Sequence, residues 1–248
     1  MSKPTAGIFG LTGCAGDQLV ILNCEDELLD LVNLLDLRDF LMATSANDTR
    51  CSLDVAFVEG AVMSRRDEET LERIRQRSRF LVAIGACAVW GGVAAQESNG
   101  NHAALLEDVY GPLGRQYDAI PARALHELVK VDLNITGCPI EKSQILAAIA
   151  NLLQGDPPLL PQYAVCAECR MRENNCLLIE KGSVCCGPLT AAGCEARCPA
   201  LRIPCIGCRG PADDVNTASA WAMFEEKGYT RADVDRKLRT FAPKGGRA

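Results

Sequence analysis

FLVAIGACA, residues 80–88, decides the fold. It is a short run with almost no polarity, and it runs into glycine and cysteine. Such a run reads as a strand covered on both faces, the condition of a strand inside a parallel sheet. Just before it, residues 66–78 read as a helix. Arg65, Arg66, Arg73, Arg75, Arg77 and Arg79 interleave with Asp67, Glu68, Glu69 and Glu72 on its wet face, and Leu71 and Ile74 mark its buried side. Working outward, strands are expected at 6–12 (AGIFGLT), 40–44 (FLMAT), 54–62 (DVAFVEGAV) and 129–136 (VKVDLNIT). Helices are expected at 18–36 and 140–154. Alternating strands and helices predict an α/β fold with a mostly parallel, doubly wound sheet.

The Pro-rich stretch GDPPLLPQ, 155–162, divides the chain into a domain at 1–155 and a second at 156–248. The second holds closely spaced cysteines with little room for regular structure between them, then a helical tail over roughly 216–242. Of 248 residues, 48% are hydrophobic and 23% charged, ordinary values for a chain that buries a core. A net charge of −6 argues against a nucleic-acid surface, which needs cations to replace phosphate counterions. With no signal-peptide pattern and no run as long as a membrane span, the expected location is cytoplasmic. In a reducing compartment, metal ligation explains 14 cysteines better than disulfides do.

Eight of these cysteines follow the spacing C-x2-C-x6-C-x8-C-x8-C-x3-C-x6-C-x2-C from Cys166 to Cys208, with Cys186 as an extra. They suggest two sets of four thiolates whose metals would supply folding energy that this segment lacks. Zinc and iron–sulfur clusters both accept such sets, and spacing alone does not separate them. Three more, Cys14, Cys87 and Cys138, each fall where a strand ends, beside Gly13, Gly16, Gly85 and Gly137. In a parallel sheet those ends share the ligand-binding edge.

The motifs LTGCAGD (11–17), MATS (42–45), AIGACAVWGGV (83–93), ITGCP (135–139), PQYAVCAECR (161–170), CCGPLTAAGCEARCP (185–199), CIGCRGP (205–211) and KLRTFA (237–242) run nearly end to end. In this order the chain resembles the small subunit of a cytoplasmic nickel–iron hydrogenase, of the type that includes sulfhydrogenase delta subunits. The resemblance implies a flavodoxin-like domain with a proximal cluster, followed by a domain with a medial and a distal one. Carried over by position, Cys14, Cys87 and Cys138 resemble proximal ligands. Cys166, Cys169, Cys176 and Cys185 would hold the distal cluster, and Cys194, Cys198, Cys205 and Cys208 the medial one. Cys185 is favoured over the adjacent Cys186 on family register. Membrane-bound relatives have His at the position of Cys166, and Pro with a three-iron medial cluster at the position of Cys198. The implied cofactors here are therefore three [4Fe-4S] clusters, with lowered potentials from the added thiolates.

Asp17 stands where most relatives have the second cysteine of a C-x-x-C. Cys24, read in one helix with Asp17, would be about 10 Å further along its axis, too far to share the site. Cys51 lies just before a strand, at the opposite sheet edge. Asp17 is thus the expected fourth proximal ligand, through oxygen; the alternative is that it caps the following helix. Glu59 is a candidate proton carrier between subunits, against a hydrogen-bonded or solvated carboxylate. His102 and His126 read as surface or structural, and Gly91 and Gly92 as sites of close backbone approach. No glycine-rich turn fits a nucleotide site.

The resemblance implies an electron-transfer subunit, inert alone, with an obligate nickel–iron large subunit. Its other implied partners are subunits carrying flavin or iron–sulfur clusters. Two rival readings are a quinone-reductase subunit of the respiratory complex I type and a zinc-stabilised interaction module. The terminal acceptor, whether NAD(P), ferredoxin, a deazaflavin or polysulfide, is set by another subunit.

Overall fold

The computed structural model describes residues 3–96, 102–156 and 158–243. Its strands are β1 (Thr5–Gly10), β2 (Asp36–Asp39), β3 (Leu53–Glu59), β4 (Val62–Ser64), β5 (Ser78–Ile84), β6 (Ala119–Arg123) and β7 (Leu133–Ile135). Five of them form one parallel sheet in the order β2-β1-β3-β5-β7, while β4 and β6 pair antiparallel beside it. Counting the main-sheet strands alone gives 2-1-3-4-5, the flavodoxin-like order.

The period-2 alternation of a strand explains why β3 and β5 read as continuous apolar runs. Val55, Phe57, Val82 and Ile84 enter one core, with Ile135, Ile145 and Ile149. Ala56, Val58, Leu81 and Ala83 enter the other, with Leu71, Ile74 and Val89. Both faces are covered, so neither has to be polar.

Helices α1 (Gly16–Leu22), α2 (Leu28–Leu34), α3 (Arg65–Arg77), α4 (Gly85–Trp90), α5 (His102–Tyr110) and α6 (Lys142–Gln154) belong to this half. In the second half lie α7 (Val165–Met171), α8 (Leu177–Lys181), α9 (Arg197–Ala200), α10 (Thr217–Glu226) and α11 (Arg231–Leu238). The charged helix α3 starts where Ser64 accepts a hydrogen bond from the Asp67 N–H at 3.1 Å, an N-cap.

The strands expected at 54–62 and 129–136 shorten to β3 and β7, and four further expectations need correction. The helix expected over 18–36 is two helices, because Asn23 to Glu27 form a turn in which Cys24 is fully buried. Cys24 therefore does not share one helix axis with Asp17. The strand expected at 40–44 is a turn. The pairing strand is the preceding β2, and beyond it the Phe40 N–H donates to Asn47 Oδ1 at 2.7 Å, while Leu41 is exposed. The strand expected to reach Ala88 stops at Ile84, because Gly85 turns into α4 at φ +83°. Short helices α7, α8 and α9 occupy the Cys-rich segment, which was expected to lack room for them.

The tail helices α10 and α11 close the second half. Trp221, Phe224 and Val234 join Leu178 and Leu189 in a small core. Trp90 ties the halves together: its indole lies against Gly210, where an added Cβ would sit 2.4 Å from Trp90 Nε1.

Candidate functional site

Cys14, Asp17, Glu59, Cys87 and Cys138 gather at the carboxyl ends of β1, β3, β5 and β7, beside the β1/β3 switch point where open α/β sheets bind ligands. Glycines make the approach possible. Gly13 sits against Gly60, which has φ +93°. A Cβ on Gly92 would lie 2.5 Å from Cys87 Sγ.

The two carboxylates differ in what they hold. Glu59, 2% exposed, accepts from the Gln18 N–H at 3.0 Å and the Asp17 N–H at 3.3 Å. It therefore satisfies the open N-terminal donors of α1. Asp17 does not cap that helix. Its Oδ1 accepts the Ile140 N–H at 2.7 Å, and its Oδ2 lies so close to Gly85 that a Cβ there would be 1.8 Å away. Asp17 thus joins the Cys14 loop to the Cys138 loop. Burial pushes its carboxyl up to about 7 against the pull of the Ile140 N–H, and Glu59 adds to the rise. The Cys87 and Cys138 thiols are each pushed up to about 11, chiefly by burial and further by one another's neighbours Cys14, Asp17 and Glu59.

In the second half, Cys166 and Cys185 both lie within electrostatic reach of Cys169 and Cys176. Burial, then the charges of Cys185, Cys169 and Cys176, push the Cys166 thiol up to about 12. Gly187 nestles between Cys166 and Cys185, with an ideal Cβ 3.4 and 3.5 Å from their sulfurs. Cys186 is wholly buried in a small core with Val165, Ala196 and Cys205.

Cys194, Cys198 and Cys208 form the next group, within electrostatic reach of one another about Cys208. Cys205 is wedged between the two groups. It is 6% exposed, and the thiol charges acting on it are those of Cys185 and Cys186.

Backbone N–H groups are aimed at these sulfurs. Val93 serves Cys87, Gly187 and Cys205 serve Cys185, Ala196 and Arg197 serve Cys194, and Gly207 serves Cys205. Such donors favour the thiolate, which burial alone disfavours. Among the described residues, no three His, Cys, Asp or Glu side chains converge as a site for one metal ion. His126 is exposed on the surface, and His102 is half-buried in α5.

Three buried polar residues escaped the sequence reading. Glu168, between the cysteines of CAEC, accepts from the Gly193 N–H at 2.7 Å and the Ala196 N–H at 3.1 Å. It thereby fixes the loop that carries Cys194. Arg209 follows Cys208, and Gln144 reaches it from α6 at 2.6 Å. A charged residue inside or directly after a cysteine motif was the available signal for the first two. Gln144 carried none, since it lies at an ordinary helix position.

Comparison with known proteins shows which chains this one is similar to. A family model described as NADH ubiquinone oxidoreductase, 20 Kd subunit, matches residues 14–152. The chain is similar to sulfhydrogenase 2 subunit delta of Pyrococcus furiosus, 38% identical over 95% of this chain and 98% of that one. Among solved structures it is similar to a chain of an NAD+-reducing [NiFe]-hydrogenase in the H2-reduced state. That match has TM-score 0.59 and 27% identity, and covers 64% of this chain and 96% of the other. A chain of the actinobacterial-type NiFe-hydrogenase from Ralstonia eutropha H16 shares the fold at TM-score 0.64 and 19% identity. It covers 96% of this chain and 90% of its own.

Proposed function

Because the chain belongs to the NADH ubiquinone oxidoreductase 20 Kd subunit family, and within it to the small subunits of nickel–iron hydrogenases, we propose that it is the electron relay of such an enzyme. One observation supports the relay reading: the three thiol groups neighbour one another in series. The Cys138 N–H favours the thiolate form of Cys208 against burial, and the Cys205 N–H donates to Cys185 Sγ at 3.2 Å. The proposed ligand sets would thus follow one another through the fold.

On this reading Cys14, Asp17, Cys87 and Cys138 hold the proximal cluster. Cys194, Cys198, Cys205 and Cys208 hold the medial one, and Cys166, Cys169, Cys176 and Cys185 the distal one. Each would be a [4Fe-4S] cluster, and together they would supply one-electron chemistry between a nickel–iron large subunit and a partner bearing flavin or iron–sulfur clusters. The grouped thiols, with N–H groups that favour their thiolate forms, fit four-thiolate centres. Similarity to hydrogenase small subunits favours iron–sulfur clusters over zinc. The Oδ1 of Asp17 is held by Ile140, which fixes the carboxylate beside the three thiols. Glu59 holds α1 in place, and proton carriage between subunits is the second role proposed for it. The cysteine-rich second half lies beyond the 14–152 match, which favours a hydrogenase relay over a quinone-reductase subunit.

The test is anaerobic purification of the complex with its co-purifying subunits. About twelve irons in this chain and three reducible EPR signals are expected from three four-iron clusters. A colourless, zinc-loaded chain overturns the reading.

A further inference from the structure

Arg209 is the one Lys, Arg or His among the described residues that is fully buried, at 3% exposure. Its Nε donates to the Ala192 carbonyl at 2.8 Å, and one terminal nitrogen, Nη2, donates to Gln144 Oε1 at 2.6 Å. The other, Nη1, is buried with no hydrogen-bond partner among the described residues. Both bonded acceptors are neutral, so neither balances the charge. The nearby carboxylates, Glu141 and Glu168, act on it through space and make no hydrogen bond to it. Glu168 holds the Gly193 and Ala196 N–H groups, and Glu141 pairs with Arg197 at 2.5 Å.

The guanidinium is also fixed in place. Gly193, at φ +113°, leaves it room: a Cβ there would lie 2.9 Å from Nη2 and 2.0 Å from Gln144 Nε2. A buried cation is unfavourable unless anions lie close. Those that act on Arg209 are, largest first, the sulfurs of Cys194 and Cys208 and then the carboxylates of Glu141 and Glu168.

We propose that Arg209 is the counter-charge of the Cys194, Cys198, Cys205 and Cys208 set, a positioning residue that raises the reduction potential of the cluster these thiolates hold. The inference rests on the medial assignment above. A reduced cluster carries one more negative charge than an oxidised one. A fixed positive charge in a low-dielectric site therefore favours the reduced form. The Cys198 thiolate lowers the potential, and Arg209 opposes it.

The experiment is a redox titration of the EPR signals of the purified complex, with iron counted. The medial signal is identified as the one that Cys198→Ser alters. Gln144→Glu keeps the hydrogen bond to Nη2 and adds a neutralising carboxylate. Arg209→Gln removes the charge. Both are expected to move the medial midpoint potential downward more than the other two, with iron content retained in Gln144→Glu. Arg209→Lys, which keeps a cation, is expected to move it least. An unchanged medial potential in Gln144→Glu with full iron overturns the proposal. So does loss of the medial signal in Arg209→Gln while Gln144→Glu titrates as wild type, since Arg209 would then be only a structural link. Absence of any medial signal from the wild-type complex is a different result: it removes the medial assignment itself.

Discussion

Glu59 Oε2, at the end of β3, accepts the Gln18 N–H of α1 at 3.0 Å. The chain's own carboxylate therefore occupies the helix N-terminus at the β1/β3 switch point, where many folds of this strand order place an anionic ligand. Glu59→Ala would leave the buried Asp17 and Gln18 N–H groups without their acceptor. A loss of about 1–3 kcal/mol of stability is expected, and a smaller one for Glu59→Gln, which keeps one acceptor oxygen. Denaturant unfolding of the chain within its complex checks both.

Gly85 is a second sensitive point. It adopts φ +83°, and a side chain there meets Asp17 Oδ2 at 1.8 Å. Gly85→Ala is expected to cost about 1–3 kcal/mol from the backbone conformation alone. It should also displace Asp17 and lower the iron content by one cluster's share, leaving the other two EPR signals in place. Iron analysis and EPR on the same sample read both effects.

Asp17 ligation is tested by exchanging its oxygen for sulfur. Asp17→Cys is expected to alter both the proximal EPR line shape and its midpoint potential, because carboxylate and thiolate differ in hardness. A spectrum and potential equal to wild type would remove Asp17 from the ligand set.

Away from the thiols, Asp132 joins β5 to the segment that leads into β7. Its Oδ2 accepts from the Leu81 N–H at 2.9 Å and from Arg75 at 2.6 Å. Burial alone would push its carboxyl up, but the Leu81 N–H, Arg75 and Lys130 outweigh it and hold the group below its ordinary range. A depressed folded pKa means the stabilisation is present above the unfolded pKa and is lost as pH falls through the folded one. Asp132→Asn is expected to cost about 1–3 kcal/mol at neutral pH. It should also flatten the acid limb of the stability–pH curve, measured by thermal unfolding between pH 3 and 7, roughly the span of carboxyl titration.

The sequence by itself determined the sheet and its ligand edge. Runs such as FLVAIGA can remain apolar only where helices cover both faces, and β5 shows that burial. The cysteine motifs likewise carried the family, because their order and spacing are local features of the chain. Other features depended on contacts between distant segments. Nothing near Glu59 says that it will meet the Gln18 N–H from 41 residues away, or that Asp17 will be held by Ile140, 123 residues on. The break of the 18–36 helix at Asn23, the path of Cys205 between two thiol groups and the burial of Arg209 against Gln144 were equally hidden. In each case the partner comes from another element, so tertiary structure alone decided which polar group is satisfied and which charge is left to balance the thiolates.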